Sequence, residues 1–165
     1  MTDKAYNDCV DNFADGVYRF IVKNIRHQED AQDIVQSAFE KLWVNREQVI
    51  PEKAKSYLFT VAYHQMIDHI RKTNKMPLAD ETAIPHQQIA QQDSELKQVL
   101  MRAVNELNPT QKSLVLLKDY EGYSYQEIGE IMNLSESQVK VYLHRARLIL
   151  KNKLSAYAPT PIHAN

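Results

Sequence analysis

Three glycines and one cysteine in a chain of 165 residues set the first limits on what this protein can be. So little glycine suits helices, and there is no Gly-rich loop of the kind that cradles phosphate. The single thiol, Cys9, cannot form an internal disulfide or supply a multi-thiolate metal centre. It reads as a small, semi-buried helix residue. No apolar run approaches the roughly 20 residues that a membrane-spanning helix requires. The opening, MTDKAYND, has neither the basic nor the apolar region of a secretory signal. A cytoplasmic protein with no membrane insertion is expected. A nucleophile motif and an HExxH pair are also missing, which points away from an enzyme and leaves no cofactor to expect. His64, Asp68 and His69 form the one cluster that suggests a metal, but His64 and Asp68 on one helical face are too few ligands, so no metal is expected.

Net charge is only -1, which argues against a nucleic-acid partner until its distribution is considered. Between Lys118 and Ser135, Lys118 stands against Asp119, Glu121, Glu127 and Glu130, a balance of -3. Between Glu136 and Leu154 the sign reverses: Lys140, Arg145, Arg147, Lys151 and Lys153 oppose Glu136 alone, a balance of +4. A basic helix directly after an acidic one can face phosphates on one side and repel them elsewhere.

Hydrophobic residues make up 44% of the chain and charged residues 25%, so each half can bury a core. The apolar spacing is helical throughout. Phe13, Val17, Phe20, Ile21 and Ile25 share the face of a first helix. From about Asp30 to Val44, Ala31, Ile34, Val35, Ala38, Phe39, Leu42 and Trp43 form a stripe, with Gln32, Asp33, Gln36, Ser37, Glu40 and Lys41 opposite. From about Glu52 to Lys72, Leu58, Ala62, Met66 and Ile70 align at four-residue steps. Three such faces can close as a small bundle. Residues 73–94 hold two prolines and many glutamines and read as a flexible linker. Helical spacing resumes from Leu96 to Leu107 and stops at Asn108-Pro109, after which Leu114 to Leu117 belongs to a short buried helix. Residues 158–165 read as a frayed tail.

The most specific signal is YSYQEIGEIMNLSESQVKVYLHRARLIL, from Tyr123 to Leu150. Ser124 with Glu127, and Ser135 with Gln138, are two capping-box patterns, each opening a helix. Asn133 between them tolerates the left-handed backbone that a sharp turn requires. Val139, Leu143, Ala146 and Leu150 fall on one face of the second helix, leaving Glu136, Ser137, Lys140, Val141, His144 and Arg145 outward and Arg147 on the flank. This is the plan of a helix-turn-helix whose second helix can lie in a DNA major groove. There Lys140 and Arg145 would reach guanine acceptors or phosphates, and Ser137 or His144 would add shorter contacts.

With these residues in view, the sequence resembles the extracytoplasmic-function branch of the sigma-70 factors over nearly all of the chain except the linker and the tail. EGYSYQEIGEIMNLSESQVKVYLHRARLILKNKL resembles the C-terminal domain that binds the −35 promoter element. DAQDIVQSAFEKLWVN is similar to the segment that docks on the β′ clamp helices of RNA polymerase, and KSYLFTVAYHQMIDHIRK to the segment that reads and helps open the −10 element. The resemblance implies an all-α fold of two small helical domains, residues 1–72 and 95–157. Core RNA polymerase, promoter DNA and an anti-sigma factor are the partners it implies.

For site residues, it places Ser137, Lys140, Val141, His144, Arg145 and Arg147 at the −35 duplex, and Asp33, Gln36 and Glu40 on polymerase. Phe59, Tyr63, His64, Arg71 and Lys72 fall at the −10 element, where unpaired bases need aromatic faces and cations. The loop EQVIPEKAK is where the family would seat a flipped base. Two positions depart from the family pattern: His64 stands where many members have asparagine, and Asn133 replaces the common turn glycine. Two other readings stay open on the residues alone: an autonomous helix-turn-helix regulator that binds duplex DNA unaided, and a protein that serves only a helical partner.

Overall fold

The computed structural model describes residues 1–75 and 95–157, apart from the side chain of Lys75. Most of the expected linker and all of the expected tail lie outside the described residues. Helix α1 (Asp3–Ile25) opens on Thr2, whose hydroxyl accepts from the Ala5 N–H at 3.0 Å. That bond satisfies one of the donors that every helix start leaves unpaired. The helix ends where Arg26 turns left-handed, at φ 57° and ψ 39°, and donates its N–H to Val22 O. Helix α2 (Gln28–Val44) begins beneath His27, whose Nδ1 accepts from the Asp30 N–H at 3.2 Å. A short 3₁₀ turn, Pro51–Lys53, then leads into α3 (Ala54–Lys75).

These three helices form the expected bundle. Val17, Phe20 and Ile21 of α1, Ala31, Ala38 and Leu42 of α2, and Leu58, Phe59, Ala62 and Met66 of α3 are fully enclosed. Truncating any of the larger ones to alanine costs about 2–5 kcal/mol, because the cavity left behind only partly relaxes. Trp43, expected within the apolar stripe of α2, is instead 39% exposed. Leu42 takes the core position, and the next residue points about 100° round the helix. Trp43 packs on the edge of Tyr6, with ring centroids 4.9 Å apart, and carries the Arg46 guanidinium 3.8 Å from its own. Helix α3 also continues to Lys75 rather than stopping at Lys72, since no breaker precedes Pro77.

The C-terminal half comprises α4 (Glu95–Asn105), α5 (Pro109–Val115), a π-helical turn (Leu116–Tyr120), α6 (Tyr125–Met132) and α7 (Glu136–Tyr157). The short helix expected at Leu114 to Leu117 thus starts five residues earlier. The proline that stops α4 occupies the first turn of α5, where a missing N–H is harmless. Asn108 and Gln111 close a capping box there, at 2.8 and 3.3 Å. At the far end α4 is tied to α7, with Glu106 accepting from Lys153 at 3.1 Å and from the Tyr157 hydroxyl.

The halves pack against each other: α6 lies on α3 and α5 touches α1, so the buried side chains form one core spanning both. Lys112 of α5 is only 5% exposed, and its ammonium donates to the Asn24 carbonyl at the end of α1, at 3.0 Å. Beside it, the Ser113 hydroxyl donates to Asn24 Oδ1 at 3.4 Å. A cavity of about 300 Å³ opens at this seam between Asn24, His69, Asn105 and Lys112.

Candidate nucleic-acid and polymerase interfaces

The helix-turn-helix is assembled from local signals. The Ser124 hydroxyl accepts from the Glu127 N–H at 3.0 Å, and Glu127 Oε1 accepts from the Ser124 N–H at 2.9 Å. Ser135 and Gln138 repeat the exchange at 3.0 and 2.9 Å. Each box satisfies two helix-start donors at once. Between them Asn133 takes φ 59° and ψ 50°, as its ability to adopt the left-handed region requires. The glycine this turn needs is Gly129, one turn back on α6. The Leu134 N–H donates to Gly129 O at 2.9 Å, and a Cβ on Gly129 would sit 2.6 Å from Leu134 O. The backbone of the turn is therefore held so close to α6 that position 129 has no room for a side chain.

Along α7, Val139, Leu143, Ala146 and Leu150 are buried, and Ser137, Lys140, Val141, His144 and Arg145 are exposed. Lys140 meets Glu136 at 3.7 Å, a surface pair that contributes little. The five exposed residues lie together on one open face. Arg147 does not join them as a free cation. Its guanidinium fork grips the Asp119 carboxylate, Nε to Oδ2 at 3.2 Å, bracing α7 against the π-helical turn. That grip also raises the arginine above its usual range.

The candidate −10 residues are split between the two faces of α3. Phe59 is fully buried, with its ring centroid 5.8 Å from Phe20 and 5.0 Å from Tyr123; Tyr63 is 8% exposed and stacks on Phe20. The two rings expected to offer their faces to −10 bases thus both lie within the core. His64, Arg71 and Lys72 are exposed, and Arg71 pairs with Asp68 at 3.0 Å. His69 Nε2 lies 3.3 Å from Asp30 on α2, so the histidine and carboxylate of the tempting metal cluster have other partners. Among the described residues no three His, Cys, Asp or Glu side chains are placed to hold a metal ion.

On α2, Asp33, Gln36 and Glu40 stand on the open face, with Gln36 Nε2 donating to Glu40 at 3.4 Å. The same helix ends in the exposed Trp43 and in Val44, which is 74% exposed, so an acidic and amide face runs into an apolar patch. Periodicity assigned Trp43 to the core. Its place beside the fully enclosed Leu42 was the signal for the patch.

The sequence family described as Sigma-70 region 2 matches residues 9–76, and that described as Sigma-70, region 4 matches residues 97–150. The ECF RNA polymerase sigma factor SigM of Bacillus subtilis is 31% identical over 144 residues, covering 84% of this chain and 88% of that one. RNA polymerase sigma factor SigV of the same species is 28% identical over 148 residues, 89% of each. Among solved structures, the sigma factor RpoE of Bartonella quintana, in complex with the anti-sigma factor NepR, has the same fold. Its TM-score is 0.75 at 21% identity, over 94% of this chain and 99% of that one. CnrH in complex with the cytosolic domain of CnrY gives a TM-score of 0.74 at 20% identity, over 95% and 92%.

The chain belongs to the sigma-70 family, within its extracytoplasmic-function branch. It is a sigma factor, conferring promoter recognition and transcription initiation on bacterial core RNA polymerase, with core enzyme and promoter DNA as its partners.

Proposed function

We propose a division of labour among the faces described above. Residues 1–72 form the unit that docks on polymerase and engages the −10 element, residues 95–157 grip the −35 duplex, and residues 73–94 set their separation, followed by a tail at 158–165. Asp33, Gln36 and Glu40 would meet the β′ clamp helices, and His64, Arg71 and Lys72 would approach −10 DNA. Phe59 and Tyr63 belong to that site only once the units part. Ser137, Lys140, Val141, His144 and Arg145 would enter the major groove; Arg147 would serve mainly to brace α7. The carrying observation is that these five side chains share one open face of α7 while its opposite face is buried.

The chain does no bond chemistry of its own, because polymerase supplies the active site. It works in the cytoplasm; no helix among the described residues is long and apolar enough to cross a membrane. Two neighbours of the same fold have been solved with anti-sigma factors or the cytosolic part of a partner. That supports control of this chain by an anti-sigma factor.

The test is run-off transcription with purified core polymerase on fragments of the source genome, comparing the native chain with Arg145→Glu. A good base contact is worth about 1–3 kcal/mol of discrimination, and reversing its charge adds repulsion from phosphates. Promoter-specific initiation is expected to fall at least tenfold while core binding persists. Unchanged initiation would remove Arg145 from the groove.

A further inference from the structure

Buried charges in proteins are ordinarily paired, yet among the described residues no carboxylate pairs with Lys112 or lines the cavity beside it. The ammonium donates to the Asn24 carbonyl at 3.0 Å, and the charge that acts on it is another cation, Arg26 at the end of α1. Burial first, and then Arg26, lower it to about 7. A titratable group so perturbed, at the edge of a cleft, marks a candidate binding site. The cavity, about 300 Å³, is at the lower end of the range for small-molecule sites. Its walls come from both units and are mixed in character. Ile25, Ile70, Leu107 and Pro109 supply apolar surface, and Asn105, the last residue of α4, shares the polar part with Lys112. The Asn105 amide oxygen is enclosed and accepts no hydrogen bond, a condition that native structures seldom leave standing.

These features specify a ligand. A buried ammonium without a counter-charge calls for an anion, and an orphaned acceptor calls for a hydrogen-bond donor. A second ammonium on the ligand would meet Lys112 and Arg26 with no acid in the wall to hold it, so the donor is a neutral hydroxyl. The apolar side of the cavity favours a short hydrocarbon body.

We propose that the cavity between Asn24, His69, Asn105 and Lys112 binds a small hydroxycarboxylate with a short apolar body, its carboxylate on the Lys112 ammonium and its hydroxyl on the Asn105 amide. The site uses none of the side chains assigned to DNA or to polymerase. It also accounts for a lysine kept where burial opposes its charge: the ligand supplies the missing anion. Because the walls belong to both units, an occupied cavity stabilises the chain as it is folded here.

The experiment is isothermal titration calorimetry of the full-length chain with three probes: hydroxyisocaproate, isocaproate, which lacks the hydroxyl, and leucine, which carries an ammonium in its place. Saturable binding of hydroxyisocaproate is expected, with the other two about tenfold weaker, since one hydrogen bond decides between them. Lys112→Met should weaken hydroxyisocaproate about tenfold or more, and Asn105→Ala should abolish its advantage over isocaproate. Affinity for the native chain should fall about tenfold per unit as pH rises from about 7 to 9, because only the charged lysine takes the carboxylate. The methionine chain should show no such slope. His69, the other titratable side chain of the wall, is engaged with Asp30 and is present in both chains, so a difference in slope belongs to Lys112. No saturable binding of hydroxyisocaproate overturns the proposal. So does binding that survives Lys112→Met unchanged, which places the anion elsewhere on the basic surface, and so does leucine binding as tightly as the hydroxy acid. If circular dichroism shows Asn105→Ala unfolded, the three probes and the two pH profiles decide the matter without it.

Discussion

Lys112→Met is expected to make the protein more stable at neutral pH, and the effect should disappear as the solution becomes alkaline. Lys112 is 5% exposed, and its ammonium donates a hydrogen bond to Asn24 O. Burial, with the Arg26 charge nearby, lowers the group from 10.5 to about 7. A cation whose native value lies below its unfolded value binds fewer protons when folded, so stability rises with pH between the two. The penalty is therefore fully present below about pH 7, shrinks as pH rises, and is gone above about 10.5. A gap of roughly three and a half units at about 1.4 kcal/mol each bounds it near 5 kcal/mol. Methionine keeps the apolar stem in place and removes the charge, at the loss of a hydrogen bond worth about 1 kcal/mol.

The net gain at pH 7 is then roughly 2–4 kcal/mol, a large share of the 5–15 kcal/mol typical of a small protein. Urea melts of both chains from pH 6 to 9.5 measure it. The upper limit avoids Tyr63, which burial holds above its usual value, and Tyr123, pushed to about 12 by burial and by Glu121 and Glu127; the unfolded counterparts of both titrate near 10. Parallel pH profiles for the two chains, or a less stable methionine variant at pH 7, would refute the reasoning.

Two further changes test the remaining claims. Gly129→Ala puts a methyl group against Leu134 O, so the turn between α6 and α7 must shift away; the expected loss is about 1–3 kcal/mol in thermal melts, and an unchanged melting temperature would contradict the close approach. Asp33→Ala combined with Gln36→Ala is expected to weaken binding to core polymerase about tenfold, while the intrinsic stability of the chain changes by less than about 0.5 kcal/mol; normal affinity in a pull-down titration would clear that face.

What could be read in advance was whatever neighbouring residues decide between themselves. The capping boxes at Ser124 and Ser135, the left-handed Asn133 and the buried row Val139, Leu143, Ala146 and Leu150 are interactions within one or two helical turns, so spacing was enough to find them. Phe59 escaped because its neighbours Phe20 and Tyr123 lie 39 and 64 positions away in the chain. Nothing near residue 59 signals that a ring from the other half covers it. The partner of Arg147 was hidden for the same reason: outward position on a basic helix was visible, and the Asp119 carboxylate waiting 28 residues upstream was not. Lys112 offered a hint, a lone cation just before the apolar run Leu114 to Leu117.

Glu127 divides its two oxygens between tasks of different reach. Oε1 accepts from the Ser124 N–H and starts α6, while Oε2 holds Lys55 in the other half of the molecule. Alanine at this position would remove both contacts together. A systematic alanine survey would then score residue 127 as a folding defect, and the long-range role of its second oxygen would go unnoticed. Only a side chain that retains one amide oxygen and gives up the charge can tell the two tasks apart.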